Sequence, residues 1–454
     1  MKENIVILGG GESGTGAALL AKAKGMDVFV SDSGQLKEKY KTELIQHAIE
    51  FEEGQHTEER ILKATLVIKS PGIPGKTDLI KKIKAKKIAV IDEIEFAFRY
   101  IKGKVIAITG TNGKTTTTLM TYHLLKSADK KVALAGNVGE SLARKVAVED
   151  HDWYVLEVSS FQLDGTQTFH PHIGVLLNIT PDHLDRYNHK MANYINSKFR
   201  LTKNMGSKDY FIYFVDDPIS GPEAKQRSTE AYRVEISLDH EAITSAHFDG
   251  KKMVFQFGKK SFKIAQQDTT LKGTHNLINT MAAVSAAYLA KVPDSKIREG
   301  LKTFKNAPHR LEPIAEINGV EFVNDSKATN VDSVVYALGS YDKPLIWIAG
   351  GIDKGNDYNL IKNEVAKKVK TLICLGKDNE KLKKFFGKVV PSVLETQSVK
   401  ELVSLALQSS QKGDVVLLSP ACASFDLFKN YEDRGNQFRE AVLQLKNEVE
   451  GVNA

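Results

Sequence analysis

The segment that most restricts this chain begins as a β-branched run, Val105-Ile106-Ala107-Ile108, and passes without interruption into Thr109-Gly110-Thr111-Asn112-Gly113-Lys114-Thr115. A buried strand, a glycine loop and a helix are expected there in that order, the arrangement of an α/β sheet. In it, backbone N–H groups and the positive end of the helix converge on a phosphate. Lys114 would neutralise charge on β- and γ-phosphates, and the Thr115 hydroxyl would ligate Mg²⁺. The loop is shortened, because Ile108 stands where the first glycine of the common phosphate-loop spacing belongs. A plain structural turn is the alternative, and the joint presence of strand, glycine, Lys-Thr and helix speaks against it.

The rhythm on either side extends the α/β pattern. Residues 4 to 98 alternate short apolar runs (Ile5 to Leu8, Val28 to Val30, Leu66 to Ile68, Ile88 to Ile91) with helical stretches, as βαβ units do. Strands at Tyr154 to Val158 and Ile173 to Leu177 continue the phosphate-loop sheet. Asp249-Gly250 sits between two alternating runs and predicts an antiparallel hairpin. After Gly273, Leu277, Met281, Val284 and Tyr288 mark one face of a buried helix. A third α/β rhythm follows Pro308 to Pro313, with strands at Val320 to Val323, Leu345 to Ala349, Leu372 to Leu375 and Val415 to Leu418. For 454 residues, about three domains are expected, with boundaries at 1–102, 103–307 and 308–454.

Composition removes whole classes of function. With 42% hydrophobic and 26% charged residues the chain is neither a disordered tail nor a disulfide scaffold. Its two cysteines, Cys374 and Cys422, lie far apart in apolar stretches and read as buried thiols in a reducing cytosol. No run approaches the ~20 apolar residues of a membrane helix, and the short apolar start is no signal peptide, so a cytoplasmic protein without membrane insertion is expected. The net charge of +7 is a slight tilt toward anionic ligands.

Further loops carry chemistry. Gly9-Gly10-Gly11-Glu12-Ser13-Gly14 follows a strand and satisfies G-x-G-x-x-G, with Asp32 at the end of the next strand, which taken alone points to a dinucleotide. Any diphosphate would fit such a turn, and Glu12 puts a negative charge inside it that must point away. Glu157 ends an apolar strand, where parallel sheets place ligands, and Asp182-His183-Leu184-Asp185-Arg186 follows another. Hard cations take oxygen ligands from such positions. Lys198 falls in a helix beginning near Met191, where a solvated lysine is the ordinary expectation. In the last third, Asn324-Asp-Ser-Lys-Ala-Thr-Asn330, Gly350-Gly-Ile-Asp-Lys-Gly355 and Ser419-Pro-Ala-Cys-Ala-Ser-Phe-Asp426 all follow strands and can converge on one cleft.

Together these blocks resemble the Mur ligase family, ATP-dependent amide-bond-forming ligases of peptidoglycan precursor synthesis, over almost the whole chain. Gly110 to Thr116, Leu156 to Leu163, Asn178 to Asp185, Gly273 to Asn276 and His309-Arg310 are similar to the family's shared ATP site. The 324–330 and 419–426 blocks resemble its D-glutamate-adding branch.

The resemblance implies an N-terminal Rossmann-like domain for uridine diphosphate, a central ATPase-like domain with a mostly parallel sheet and added antiparallel strands, and a C-terminal Rossmann-like domain for the amino acid. It implies that D-glutamate is added to UDP-N-acetylmuramoyl-L-alanine through an acyl phosphate. ATP would be held by Gly110, Thr111, Asn112, Gly113, Lys114, Thr115, Thr116, Asn276, Arg310 and Asp325. The UDP substrate would be held by Ser13, Asp32, Ser70, Gly72 and Asn137. D-Glutamate would meet Lys327, Thr329, Lys354, Ser424, Phe425 and Tyr431. Lys114, Glu157, His183 and Lys198 would carry catalysis, with two Mg²⁺ sites: Thr115 and Glu157 at one, His183 and a carbamylated Lys198 at the other. A monomer acting on small molecules is expected.

Two rival readings remain at this point. A nicotinamide-dependent oxidoreductase would use Gly9 to Gly14 and Asp32, but has no use for a second phosphate loop. A nucleotide-gated nucleic-acid binder would need gathered basic residues, whereas Lys81-Lys82, Lys86-Lys87 and Lys367-Lys368 are scattered.

Overall fold

A computed structural model describes residues 3–242, 244–271 and 273–451. The chain forms two compact units, Met1–Thr270 with Leu277–Phe304, and Leu271–Asn276 with Lys305–Ala454. The first unit contains two sheets. Five parallel strands stand in the spatial order Glu50–Glu53, Asp27–Asp32, Asn4–Leu8, Leu66–Lys69, Ala89–Ile91. Side chains alternate across a strand, so Asn4–Leu8 feeds two cores. Ile5 and Ile7 pack under Ala17, Leu20 and Ala21 of the helix Glu12–Ala23. Val6 and Leu8 join Ile61, Ile80 and Ile83 on the other face. Strand order reverses beside Asn4–Leu8, and such a reversal opens a crevice at the carboxyl ends of the strands.

Nine strands form the second sheet, in the order Lys260–Ala265, Lys252–Phe257, Ala246–Phe248, Tyr232–Ser237, Tyr210–Phe214, Ile173–Leu176, Lys104–Thr109, Trp153–Glu157, Val132–Gly136. The pairings of the Ala246–Phe248, Lys252–Phe257 and Lys260–Ala265 strands with one another are antiparallel, and the rest of the sheet is parallel. The hairpin expected at Asp249-Gly250 is present. Gly250 takes φ +89°, and the Asp249 carboxylate accepts the N–H groups of Lys251 and Lys252 at 3.1 and 2.8 Å. The helix Thr274–Leu289 buries Leu277, Met281 and Val284, and Tyr288 stacks on Phe257 with ring centroids 4.6 Å apart.

The two sheets of this unit are joined through an acidic helix, Glu93–Phe98, that lies at their seam. Asp92 caps it, accepting Ile94 N–H at 3.0 Å. The buried Glu95 accepts the N–H groups of Gln167, Thr168 and Phe169 at 2.9, 3.0 and 2.9 Å, and the Thr168 hydroxyl at 2.7 Å. Glu93 takes the Ala143 N–H on one oxygen, while its other oxygen is buried without a hydrogen-bond partner among the described residues. Burial, then the charge of Asp92, pushes the Glu93 carboxyl up to about 8, and burial pushes Asp92 up to about 7.

The second unit holds six strands in the order Glu312–Ile317, Val320–Asn324, Val415–Leu418, Leu345–Ala349, Val369–Leu375, Ser392–Thr396. The first pair is antiparallel and the rest parallel. All four strands expected here from apolar runs form. The two edge strands, Glu312–Ile317 and Ser392–Thr396, do not read as apolar runs, because an edge strand tolerates polar residues and a proline, here Pro313 beside a register shift. Glu50–Glu53 escapes a hydrophobicity reading for the same reason.

Candidate active site

The phosphate loop is built by two glycines in conformations other residues avoid, Gly110 at φ +152° and Gly113 at φ +84°. Gly113 has a second constraint, since a Cβ there would lie 2.3 Å from Asn279 Oδ1. Asn178, beyond the Ile173–Leu176 strand, clamps the loop by accepting Thr111 and Asn112 N–H at 3.1 and 2.8 Å and donating to the Asn112 carbonyl at 3.1 Å. Thr115 and Thr116 open the helix Lys114–Lys126. Lys114 Nζ curls back over the loop, donating to the carbonyls of Gly110 and Thr111 at 2.9 and 2.7 Å.

Around this loop the structure gathers several of the residues singled out above. Glu157, 2% exposed, accepts the Thr115 hydroxyl at 2.6 Å on one oxygen and Asn137 Nδ2 at 2.8 Å on the other. One carboxylate thus ties the residue expected to face ATP to the residue expected to face the muramoyl substrate. Lys198, also 2% exposed, donates to the Gly110 carbonyl at 2.7 Å and lies 4.7 Å from the Tyr194 ring centre. Burial first, and then the neighbouring Lys114 charge, holds its amine well below the usual lysine range. His183 sits at φ +51° just before the short helix Leu184–Tyr187, with its ring 5.2 Å from Phe161 and 3.5 Å from the Asp182 carboxylate. The paired oxygens of Thr115 and Glu157 are the hard donors Mg²⁺ prefers, and two protein ligands leave room for phosphate and water.

At the first glycine turn, Gly9, Asp32 and Ser70 come together from three strand ends. Asp32 accepts Gly10 N–H at 2.7 Å and Gly34 N–H at 2.8 Å, and Ser70 Oγ donates to the Gly9 carbonyl at 3.2 Å. Asp32 therefore braces the turn itself. Ser13 lies in the first helical turn, and the Gly72 carbonyl accepts Arg186 Nη1 at 3.4 Å. Glu12 is directed away from the turn, toward Ser141 and Arg144. Burial alone would raise its carboxyl, but those two partners hold it below the ordinary value.

In the second unit the three strand-end loops are hydrogen-bonded to one another. Gly350 N–H donates to Pro420 at 3.0 Å, Ile352 and Ala423 exchange backbone bonds at 2.8 and 3.1 Å, and Ala421 N–H donates to Ala328 at 2.9 Å. Lys327 Nζ donates to the Tyr431 hydroxyl at 2.9 Å. Asp325 accepts Ser419 Oγ at 2.9 Å and Leu311 N–H at 3.2 Å, and burial pushes it up to about 7 although those two bonds and then the Arg310 charge oppose the rise. Thr329 and Asn276 are partly and fully buried, Ser424 is buried, and Lys354 and Phe425 are exposed on their loops.

Two residues central to this arrangement stand outside every motif. Asn279 props the phosphate loop and accepts the Thr117 hydroxyl at 3.2 Å. Arg434, 1% exposed, donates to Ser326 Oγ and O at 3.0 and 2.9 Å and to the carbonyls of Gly350 and Cys422 at 3.3 Å, so one guanidinium holds all three loops. Nothing local in the sequence separates either from an ordinary helix residue.

Residues 4–79 match the MurD N-terminal domain, 108–287 the Mur ligase middle domain and 309–422 the Mur ligase glutamate ligase domain. A UDP-N-acetylmuramoylalanine–D-glutamate ligase of Cytophaga hutchinsonii is 51% identical over 448 residues, covering 98% of this chain and 100% of that protein. Another of that name, from Christiangramia forsetii, is 49% identical over 445 residues, covering 98% and 100%. The fold is shared with a pseudomurein peptide ligase type C from Methanothermus fervidus (TM-score 0.63, 22% identity, 98% and 100% covered). It is shared too with a UDP-N-acetylmuramate-alanine ligase from Thermotoga maritima (TM-score 0.61, 17% identity, 98% and 100% covered). With matches over most of its length and relatives near half identity end to end, this chain belongs to the Mur ligase family.

Proposed function

We propose that the chain joins D-glutamate to UDP-N-acetylmuramoyl-L-alanine at the expense of ATP, giving ADP and phosphate. The observation that carries the reaction class is Glu157, whose two oxygens engage Thr115 on the phosphate-loop helix and Asn137 on the neighbouring strand end. Names borne by full-length relatives support the choice of amino acid and sugar nucleotide. An oxygen of the alanine carboxylate attacks the γ-phosphorus and ADP departs. The D-glutamate amine then adds to the acyl carbon, loses a proton, and the tetrahedral centre expels phosphate.

Two anions must meet in the first step, so concentrated positive charge is the central requirement. Lys114 moves from its own loop carbonyls to the β- and γ-phosphate oxygens. The N–H groups that open the helix Lys114–Lys126, on a loop clamped by Asn178, would donate to the same oxygens. Thr115 and Glu157 would hold a Mg²⁺, which would supply Lewis-acid stabilisation of the transferring phosphoryl group. Lys198, whose amine burial holds well below the usual lysine range, is chemically suited to form a carbamate, which would turn a group that repels cations into an oxygen ligand for the site expected at His183. Arg310 and Asp325, with Asn276, grip the nucleotide, and Lys327, Thr329, Lys354, Ser424, Phe425 and Tyr431 seat D-glutamate. Ser13, Asp32, Ser70 and Gly72 form the uridine diphosphate site. The enzyme acts as a monomer in the cytoplasm, with domains divided near residues 102 and 307.

The test is phosphate release from ATP with UDP-N-acetylmuramoyl-L-alanine, comparing D-glutamate with L-glutamate, L-alanine, L-lysine and meso-diaminopimelate. Release that depends on D-glutamate is expected. Release with another amino acid would move the chain to a different branch of the family, and none with any would refute the proposal.

A further inference from the structure

The glycine turn that faces the diphosphate carries a carboxylate. Glu12 is the first residue of the helix Glu12–Ala23, directly after Gly11, where a side chain would meet nothing within 4 Å. Left free, Glu12 could swing into that open space, where it would oppose a bound diphosphate. It is not free. Its Oε1 accepts Arg144 Nε at 2.8 Å and Ser141 N–H at 3.0 Å, and its Oε2 accepts Arg144 Nη2 at 3.3 Å. Arg144 is in turn gripped by Glu43 of the helix Glu38–Gln46, with Nη2 to Oε2 at 3.0 Å and a second contact from Nη1 to Oε1. The Arg144 side chain is only 12% exposed, so the pairing is poorly screened.

Arg144 is also joined through its helix to the turn that carries Asn137. It is the third residue of the helix Leu142–Val148, whose cap Ser141 follows the tight turn Gly136–Glu140, closed by Gly136 N–H to Glu140 O at 3.0 Å. That turn carries Asn137, the partner of Glu157. The two helices approach so closely that a Cβ on Gly16 would lie 1.9 Å from Ser141 Oγ. We propose that Arg144 is a positioning residue for the diphosphate: it touches no ligand, but by holding Glu12 against the phosphate-loop portion it keeps the anion-binding face of the glycine turn clear and in register with Asn137. This rests on the reading of that turn as the uridine diphosphate site.

The proposal makes Arg144 act through Glu12, which a purely structural role would not do. The probe is UDP, titrated calorimetrically into the full chain, with KM values for UDP-N-acetylmuramoyl-L-alanine and ATP measured in parallel. Arg144→Met should weaken UDP binding and raise the KM for the sugar nucleotide about tenfold, leaving the KM for ATP within about twofold. Glu12→Gln added to Arg144→Met should recover UDP affinity to within about threefold of the parent, because the released charge is gone. Glu43→Gln, which leaves Glu12 as the sole carboxylate on Arg144, should cost no UDP affinity, and it tests the proposal even if Arg144→Met folds poorly. Arg144→Met binding UDP as the parent does, a double variant no better than Arg144→Met, or a loss of UDP affinity in Glu43→Gln would each overturn the proposal. A parent chain that binds ATP but not UDP would instead overturn the reading of the turn, and the proposal with it.

Discussion

Replacing Glu93 by glutamine should abolish much of the pH dependence of stability in the first unit. Glu93 is 1% exposed, with one oxygen on the Ala143 N–H and the other unpartnered, and its carboxyl rises from 4.5 to about 8. Below about pH 4.5 the folded and unfolded chains both hold this proton, and the side chain is neutral in each. Between 4.5 and 8 the unfolded chain releases it while the folded chain keeps it, so stability falls as pH rises, by up to about 1.4 kcal/mol per pH unit. Over the whole window the limit is about 5 kcal/mol. Water entering the seam would reduce this, and a realised loss of roughly 2–3 kcal/mol corresponds to about 5–10 °C in Tm at roughly 2–4 °C per kcal/mol. Glutamine keeps the acceptor for Ala143 and cannot ionise. Thermal unfolding from pH 5 to 8.5 should therefore show parent and Glu93→Gln melting together at the acid end and the variant melting higher at the alkaline end. Asp92, raised from 3.8 to about 7, leaves a residual slope of the same sign in both that ends about one pH unit lower, so the two curves part most clearly between about pH 7 and 8. A parent Tm that stays flat over this range, or a variant that falls in parallel with it, would show that the seam does not hold a neutral acid.

Other substitutions test the site. Lys114→Ala should lower ADP formation at least about 10²-fold, because the remaining loop donors are neutral, and near-normal turnover would remove the lysine from phosphate binding. Lys198→Ala should lose activity that added bicarbonate, acetate or formate partly restores, since each supplies oxygen ligands where the side chain ended; no recovery with any of them would count against a carbamate. Arg434→Met should leave the carbonyls of Ser326, Gly350 and Cys422 unsatisfied at about 1–3 kcal/mol each, and should raise the KM for D-glutamate more than that for ATP. Equal changes in both constants would mean that the guanidinium supports the fold without shaping the amino-acid loops.

What could be read from the sequence divides along physical lines. Strands buried on both faces, such as Val105 to Ile108 and Leu345 to Ala349, announce themselves because burial demands continuous apolar runs. Edge strands such as Glu50–Glu53 do not, because their stability comes from pairing and from side-chain bonds like Lys41 to Glu53 at 2.6 Å. Loops with glycines at positive φ were legible for the complementary reason that few other residues can take their place. Residues that act alone at long range were not. Arg434 is one cation in a helix rich in charge, Asn279 one amide in an apolar helix, and only the folded chain reveals that they hold three loops and one. Glu12 was legible as a problem, a carboxylate where an anion should bind, and its solution lay 132 residues away in Arg144.

The position of Arg434 bears on how the protein is made. The loops at Ser326, Gly350 and Cys422 are tied together by a side chain from Tyr431–Glu450, which follows all three in sequence. During synthesis the N-terminal portions emerge and fold first. The phosphate loop can thus be complete while Tyr431–Glu450 is still inside the ribosome, at a stage when the loops at Ser326, Gly350 and Cys422 lack their common anchor. The phosphate loop and the three strand-end loops of the second unit therefore mature at different times, the first from contacts made early in synthesis and the others only once Arg434 has emerged.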